Sequence, residues 1–316
     1  MASTRELNYR DRLAGRIDAG TPVIDGQALA AGRWDELVPL ALGSAREHGF
    51  LCIDLPPGHR QIAGTTLQSA AAFFSLPDDR KAAVRDADAT FGWTPSHEEP
   101  AYQPGTVSNV ESFDAELPLI ESADDPHWPD VPGFRSAVVD CWQEYASLAD
   151  RILELLARAA GIEPMFLVNR CSTRELNTLR LLHYPGGPVP SNPNEVGIAA
   201  HTDFECITLI YQTAPGLELR SPGGDWLDAP VAPGRVIVLL DDMLEHWTNG
   251  FFQATGHRVR RTLEERYSLV LFIAVDDGVE VAPLPEFVSA GHPPRYAPVG
   301  QAQHIDDEMT RARNQM

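Results

Sequence analysis

Two periodicities divide the chain. Up to about residue 177, apolar side chains recur every three or four positions. In WDELVPLALGSAREHGF (Trp34 to Phe50), Leu37, Ala41, Ala45 and His48 fall on one stripe, which predicts an amphipathic helix. GHRQIAGTTLQSAAAFFSLP repeats the habit until Pro77 stops it, and GFLCID between the two predicts a strand. The clearest helix is predicted from about Phe134 to Ala160, where Val138, Trp142, Tyr145, Ala149, Ile152, Leu156 and Ala159 share a face and Gly161 follows as a natural cap. It would run roughly 40 Å, long enough to brace a sheet from behind.

After Thr178 the texture changes to short strands broken by Pro and Gly. TLRLLHY, IAAHTDFECITLIY, GLELR, DWLDA, RVIVLLD, HRVRR and RYSLVLFIAV succeed one another, with turn signals such as SPGG and VAPG between them. Many short strands at this spacing, with helices gathered at one end of the sequence, predict a mainly β fold with flanking helices: a double-stranded β-helix, a cupin-like jelly roll, braced by the long helix. A single domain over residues 1–316 is expected. It would comprise a helix-rich part (1–177) packed on the barrel, the jelly-roll core (178–276) and a C-terminal extension (277–316).

Composition narrows the function classes. With 43% hydrophobic and 22% charged residues the chain has the make-up of a globular enzyme, and no apolar run approaches the roughly 20 residues of a membrane span. The segment MASTRELNYRDRLAGR lacks the apolar centre of a secretory signal, so a cytoplasmic location is expected. Cys52, Cys141, Cys171 and Cys206 show no paired spacing and are expected to be reduced. A net charge of −20 repels phosphate backbones and argues against nucleic acid as a partner. Lys81 is the only lysine, which disfavours Schiff-base chemistry.

The candidate chemistry lies in GIAAHTDFECITLIYQ. Read as one strand, it puts His201 and Asp203 on the same face, toward the barrel interior, where an unpaired carboxylate is costly and a metal relieves it. His257, at the start of a later strand, offers a third donor. Two imidazoles and one carboxylate leave three positions open, the donor set of non-haem iron(II) oxygenases, whereas closed structural zinc wants a fourth protein ligand. The alternative is a plain hydrogen-bonded pair in a polar cleft. Nine residues after His257, Arg266 and Ser268 again share a strand face and together form a carboxylate receptor, which beside an open iron site invites 2-oxoglutarate; the alternative for Arg266 is a salt bridge to Glu264 or Glu265.

With these motifs in hand, the chain resembles the iron(II)/2-oxoglutarate-dependent dioxygenases of the isopenicillin N synthase-like group. TPVIDG, AREHGFLCI, AAAFFSLPDDRK, FGWTPSHEE with NVESFD, LRLLHYP, AHTDFECITLIYQ, GLELRSPGGDWLDAP, HWTNG, GHRV and RYS occur in that family's order and approximate spacing. The resemblance implies Fe(II) at His201, Asp203 and His257, and a 2-oxoglutarate site at Arg266 and Ser268 with Tyr184 as a further hydroxyl. It implies oxidation of a small organic molecule, an amino-acid-derived or aromatic secondary metabolite, with O2 consumed and succinate and CO2 released. Because Asp203 is a carboxylate, no position is left for halide, and hydroxylation, desaturation or cyclisation is expected.

The resemblance also places Phe91, Trp93, Tyr102 and Phe113 over the substrate pocket, with Phe204 beside the ligands, and aromatic walls suit a small molecule with an apolar body. Several positions depart from the family. Leu182 replaces a frequent Asn, Asp241 replaces a Gly, and Glu205 stands where Gly is usual. Glu205 shares the facing of the ligands if the strand continues regularly, and it would then meet the amine of a substrate; otherwise it is solvated or salt-bridged. Arg180, Arg258 and Arg260 are candidates for a substrate carboxylate or for solvent. Two rival readings are an iron oxidase of the same fold without 2-oxoglutarate, in which Arg266 and Ser268 hold the substrate's own carboxylate, and a non-catalytic small-molecule binding protein.

Overall fold

The main strands form two facing sheets, one of which carries helices on its outer side. A computed structural model of the chain describes residues 21–86, 91–99, 102–188, 192 and 194–314; the polar leader MASTRELNYRDRLAGR lies outside them. In chain order the main strands are β1 (Val23–Asp25), β2 (Phe50–Asp54), β3 (Gly92–Thr94), β4 (Glu111–Glu116), β5 (Thr178–Tyr184), β6 (Ile198–His201) and β7 (Ile207–Gln212). They continue with β8 (Leu217–Arg220), β9 (Trp226–Asp228), β10 (Arg235–Leu240), β11 (His257–Val259) and β12 (Arg266–Ile273). The larger sheet has the order β1-β2-β10-β7-β12-β5-β4-β3, and the smaller sheet the order β9-β8-β11-β6. The two sheets make the jelly roll that the strand spacing predicts.

Helices α1 (Trp34–Glu47), α2 (Pro57–Phe74) and α3 (Phe134–Ala160) supply the outer layer. The long helix has the bounds expected from its apolar period. Gly161, in the left-handed region at φ 75°, ends it, since a side chain there would be strained. Period-two alternation then decides which residues meet the helices. From the large sheet Leu179, Leu181, Leu209, Leu269 and Leu271 pack outward against the buried face of α3 in the main apolar core. Their neighbours Leu182, Tyr184, Ile210 and Val270 point inward, toward Ile198, Leu217 and Val259 of the small sheet.

One expectation fails. IAAHTDFECITLIY is two strands, β6 in the small sheet and β7 in the large one, and Thr202 to Cys206 cross between the sheets. The crossing is fixed by backbone hydrogen bonds to the start of a short helix, α4 (Asp242–Trp247): the amides of Asp241, Asp242 and Met243 donate to the carbonyls of Cys206, Asp203 and Glu205 at 3.2, 3.1 and 2.9 Å. The C-terminal extension ends in helix α5 (Gln301–Arg313), which hydropathy did not predict. Gln301 ties it to the crossing by donating from Nε2 to the Phe204 carbonyl at 2.8 Å.

Candidate active site

The crossing segment converges with strand β11 on one cluster. His201 and His257 are cross-strand partners, with ring centroids 4.2 Å apart. Asp203, just beyond the end of β6, reaches back so that its Oδ1 lies 3.5 Å from His201 Nε2 and 3.6 Å from His257 Nε2. One donor atom from each of the three residues lies within 4.8 Å of the others, an arrangement that could hold a metal ion. The local backbone sets the tautomers. His201 Nδ1 contacts the Ala199 carbonyl at 2.8 Å and His257 Nδ1 the Thr255 carbonyl at 3.1 Å; a carbonyl only accepts, so both Nδ1 atoms donate and both Nε2 lone pairs face the cluster.

Protonation agrees with that donor set. Burial pushes His257 down to about 4, so its imidazole is neutral. Burial works against ionisation of Asp203, but His257, His201 and Thr208 outweigh it and hold the carboxyl at about 2. Asp203 Oδ2 is nevertheless buried without a hydrogen-bond partner among the described residues. A carboxylate oxygen in that state wants a cation. The residues therefore fit a divalent metal with positions left for other ligands.

A second polar group lies farther along the inner face of the large sheet. Arg266 pairs with Tyr184 and Ser268 with Leu182 across β12 and β5, which turns all four inward. Arg266 is 1% exposed, and its Nε and Nη2 donate to the Ala214 carbonyl at 3.1 Å and Gln212 Oε1 at 2.9 Å. Its Nη1 and the Ser268 hydroxyl, equally buried, find no protein partner among the described residues. Burial pulls the Arg266 guanidinium below its ordinary pKa, opposed by Tyr184, over whose ring it sits at 4.6 Å from the centroid. A fork with one free branch beside a free hydroxyl is a receptor for an anion such as a carboxylate. No salt bridge joins Arg266 to Glu264 or Glu265 among the described residues; Glu265 instead contacts His183 and Tyr267.

Both groups open into one cavity of about 460 Å³ between the sheets. Phe204 and Glu205 line it, and Tyr102 stacks on the His201 imidazole with centroids 4.1 Å apart and planes 8° from parallel. The pocket positions expected for Phe91, Trp93 and Phe113 are corrected. Trp93 and Phe113 are cross-strand partners on the helix side of the sheet, because Phe113 pairs with outward-facing Leu181 while Asp114 pairs with Arg180. Phe113 is fully buried against Phe73 and Phe134, and Phe91 packs edge-on to His127 at the same core. Trp93 donates its indole N–H to Glu111, whose carboxylate His183, Lys81 and Trp93 hold low against the upward push of burial. Phe113→Ala should accordingly cost about 3–5 kcal/mol of stability in denaturant unfolding and leave KM values nearly unchanged; Phe113→Leu serves if the alanine variant does not fold.

Parity puts carboxylates where aromatic rings were expected. Asp114 and Glu116, on the inner face of β4, line the cavity, as do Glu99 and Arg180. Arg180 is held bidentately by Asp114 at 2.8 Å through Nε and Nη2, and by Glu99 at 3.0 Å through Nη1. Burial alone would lower its pKa, but Asp114 and Glu99 raise it well above the ordinary value. Arg258 and Arg260 do not line the cavity and pair with Glu218 and Asp228. Glu116, with no hydrogen-bond or ion-pair partner among the described residues, is pushed to about 7 by burial and then by Asp114. Burial and the Asp203 carboxylate push Glu205 to about 8. Helix α5 closes part of the mouth with Ile305, Asp306, Met309 and Arg313, a wall that no motif signalled.

A jelly roll with a two-histidine, one-carboxylate cluster and a buried arginine in its interior defines the class of non-haem iron oxygenases. Comparison with known proteins agrees. Residues 168–275 match the 2OG-Fe(II) oxygenase superfamily, and residues 21–131 match the N-terminal family described as non-haem dioxygenase in morphine synthesis. Mugineic-acid 3-dioxygenase of Hordeum vulgare is 30% identical over 295 residues, covering 90% of this chain and 83% of that protein. A 2-oxoglutarate-Fe(II) type oxidoreductase of Metarhizium rileyi is 28% identical over 264 residues, 75% of this chain and 74% of that one. Among solved structures, a full-length Neurospora crassa protein in complex with alpha-KG superposes with a TM-score of 0.80 at 23% identity, covering 94% of this chain and 98% of that one. The chain belongs to the 2OG-Fe(II) oxygenase superfamily. It is a 2-oxoglutarate-dependent dioxygenase that works with Fe(II), 2-oxoglutarate and O2 on a small molecule.

Proposed function

We propose that His201, Asp203 and His257 hold Fe(II), that Arg266, Ser268 and Tyr184 receive the distal carboxylate of 2-oxoglutarate, and that the rest of the cavity takes a small amino-acid-derived or aromatic metabolite for hydroxylation, desaturation or ring closure. The observation that carries this reading is the pair of orphaned buried donors, Arg266 Nη1 and Ser268 Oγ, in the same cavity as the three converging ligand atoms. A relative named as a mugineic-acid 3-dioxygenase supports a small organic molecule as substrate.

When bound, ferrous iron and 2-oxoglutarate supply the oxidising chemistry, with O2 consumed and succinate and CO2 released. The chain's own residues do the rest. Ala199 and Thr255 fix the imidazole tautomers through their carbonyls, so both histidines present lone pairs without rearrangement. Tyr102, stacked on His201, keeps that ring from turning. Arg266 is anchored by Gln212 and Ala214 and keeps one N–H branch for the co-substrate. Ile210, Leu217, Val259 and Val270 line the same cavity with apolar surface, which excludes water and strengthens the charge pairing.

The test is anaerobic reconstitution with Fe(II), calorimetric titration with 2-oxoglutarate, then admission of O2 with succinate measured. Saturable binding and iron-dependent succinate are expected; a chain that binds Fe(II) but neither binds nor consumes 2-oxoglutarate would overturn the reading. No helix among the described residues is long and apolar enough to cross a membrane.

A further inference from the structure

The cavity is a ligand site on grounds independent of its acidic groups, because the 1%-exposed Arg266 directs an unpaired N–H into it and Asp203 an unpaired oxygen. Its charge balance then bears on what completes it. In its co-substrate half the formal charges cancel: ferrous iron and Arg266 against Asp203 and the two carboxylates of 2-oxoglutarate. In the remaining interior, among the described residues, stand Glu99, Asp114, Glu116 and Glu205 against a single guanidinium, Arg180. Glu175, Asp306 and Arg313 are exposed at the rim and are screened by water.

Each of the three nitrogens of Arg180 already donates to a carboxylate. Both Asp114 oxygens and one Glu99 oxygen take three of its five N–H donors, and the two carboxylates already outnumber its single charge, so it offers little attraction to a substrate carboxylate. Two interior carboxylates are left without a cation. Glu116 pairs with nothing among the described residues, and Glu205 accepts from backbone N–H groups, that of Phe204 at 3.0 Å, with no cationic side chain among the described residues paired to it. Burial is what pushes Glu116 to about 7, and a positively charged partner would relieve that cost.

We propose that the substrate of this enzyme carries a positively charged nitrogen, an ammonium or a guanidinium, received by Glu116 and Glu205. This rests on the reading of the site given above and narrows its substrate class. Phe204, Phe272 and Tyr102 line the same cavity and take the apolar body, and beyond the Arg266 site assigned to 2-oxoglutarate a free carboxylate on the substrate finds no unpaired cation in the interior among the described residues. The pocket therefore discriminates by charge: a cation gains two charge-assisted contacts, and an anion gains none.

The test uses enzyme loaded anaerobically with Fe(II) and 2-oxoglutarate and titrated calorimetrically with phenethylamine, agmatine, phenethyl alcohol and 3-phenylpropionate. At least one of the two cations should bind about tenfold or more tighter than the alcohol, and the carboxylate weakest of all. Glu116→Gln and Glu205→Gln, each checked for an unchanged Tm, should each lower cation affinity several-fold while the affinity for 2-oxoglutarate, measured separately, stays the same. The proposal is overturned if the alcohol or the carboxylate binds as tightly as the cations, if neither cation binds at millimolar concentration, or if both variants keep wild-type affinity for the cations. Enzyme that binds no 2-oxoglutarate overturns the reading of the site itself, and this inference with it.

Discussion

Asp203→Ala loses iron-dependent turnover by roughly a thousandfold or more, equivalent to about 4 kcal/mol of barrier, while the fold stands. The expectation follows from where the carboxylate sits. Asp203 is 5% exposed, its Oδ1 is placed between the two Nε2 atoms at 3.5 and 3.6 Å, and its Oδ2 has no protein partner among the described residues. In the metal-free protein Asp203 has one unsatisfied oxygen, which costs stability, and a pairing with His201 and His257, which contributes some, so metal-free variant and metal-free wild type each serve as their own baseline. They should part company when Fe(II) is added under argon. At a hundredfold excess over Kd the wild type gains about 2.7 kcal/mol from mass action, and the variant gains little. Thermal unfolding with and without Fe(II), alongside succinate release, measures both halves. A variant that keeps its iron-induced rise in Tm would place the metal elsewhere.

The parts of this site that could be read from sequence were local ones. His201 and Asp203 stand two apart, Arg266 and Ser268 two apart, and a pair at that spacing is visible whether or not the surrounding strand is drawn correctly. The chain does not run as one strand here. Its break after His201 comes from bonds between the carbonyls of Asp203, Glu205 and Cys206 and the amides of residues 241–243, about forty positions away, and no local preference encodes that. Glu205 does reach the cavity, but by way of this crossing and not by strand alternation.

Parity in β4 was equally hidden. ESFDAE alternates polar with apolar, yet its outward face carries Glu111 with Phe113 and Ala115, because a buried Lys81, Trp93 and His183 wait there for a carboxylate. The inward face carries Ser112, Asp114 and Glu116. The family resemblance places this segment over the pocket without giving its parity, and the register with β5 turns Phe113 to the helix side and Asp114 to the cavity. Helix α5 escaped for a plainer reason: QAQHIDDEMTRAR has too few apolar positions to mark a stripe, and it is held by Gln301 more than by apolar packing.

Arg266→Leu should raise the KM for 2-oxoglutarate by about a hundredfold or more and leave Fe(II) binding in place. Removing one member of a buried, hydrogen-bonded charge pair costs about 2–5 kcal/mol, and here the member removed is the only buried guanidinium that lines the cavity with an unpaired N–H among the described residues. Three variants separate recognition from support. In Arg266→Leu, Gln212 Oε1 and the Ala214 carbonyl also lose their donors, so some stability is lost as well. Arg266→Lys keeps the charge but not the fork, and should fall between leucine and wild type. Ser268→Ala removes the second orphaned donor without touching the arginine anchors, and should raise the same KM by about tenfold with Tm nearly unchanged. If the arginine only supported the fold, Tm would fall in the leucine variant while the KM for 2-oxoglutarate held, and Ser268→Ala would be silent. A KM that climbs in the order wild type, Ser268→Ala, Arg266→Lys, Arg266→Leu, with the iron-induced shift in Tm retained throughout, is the outcome that the geometry of β12 requires.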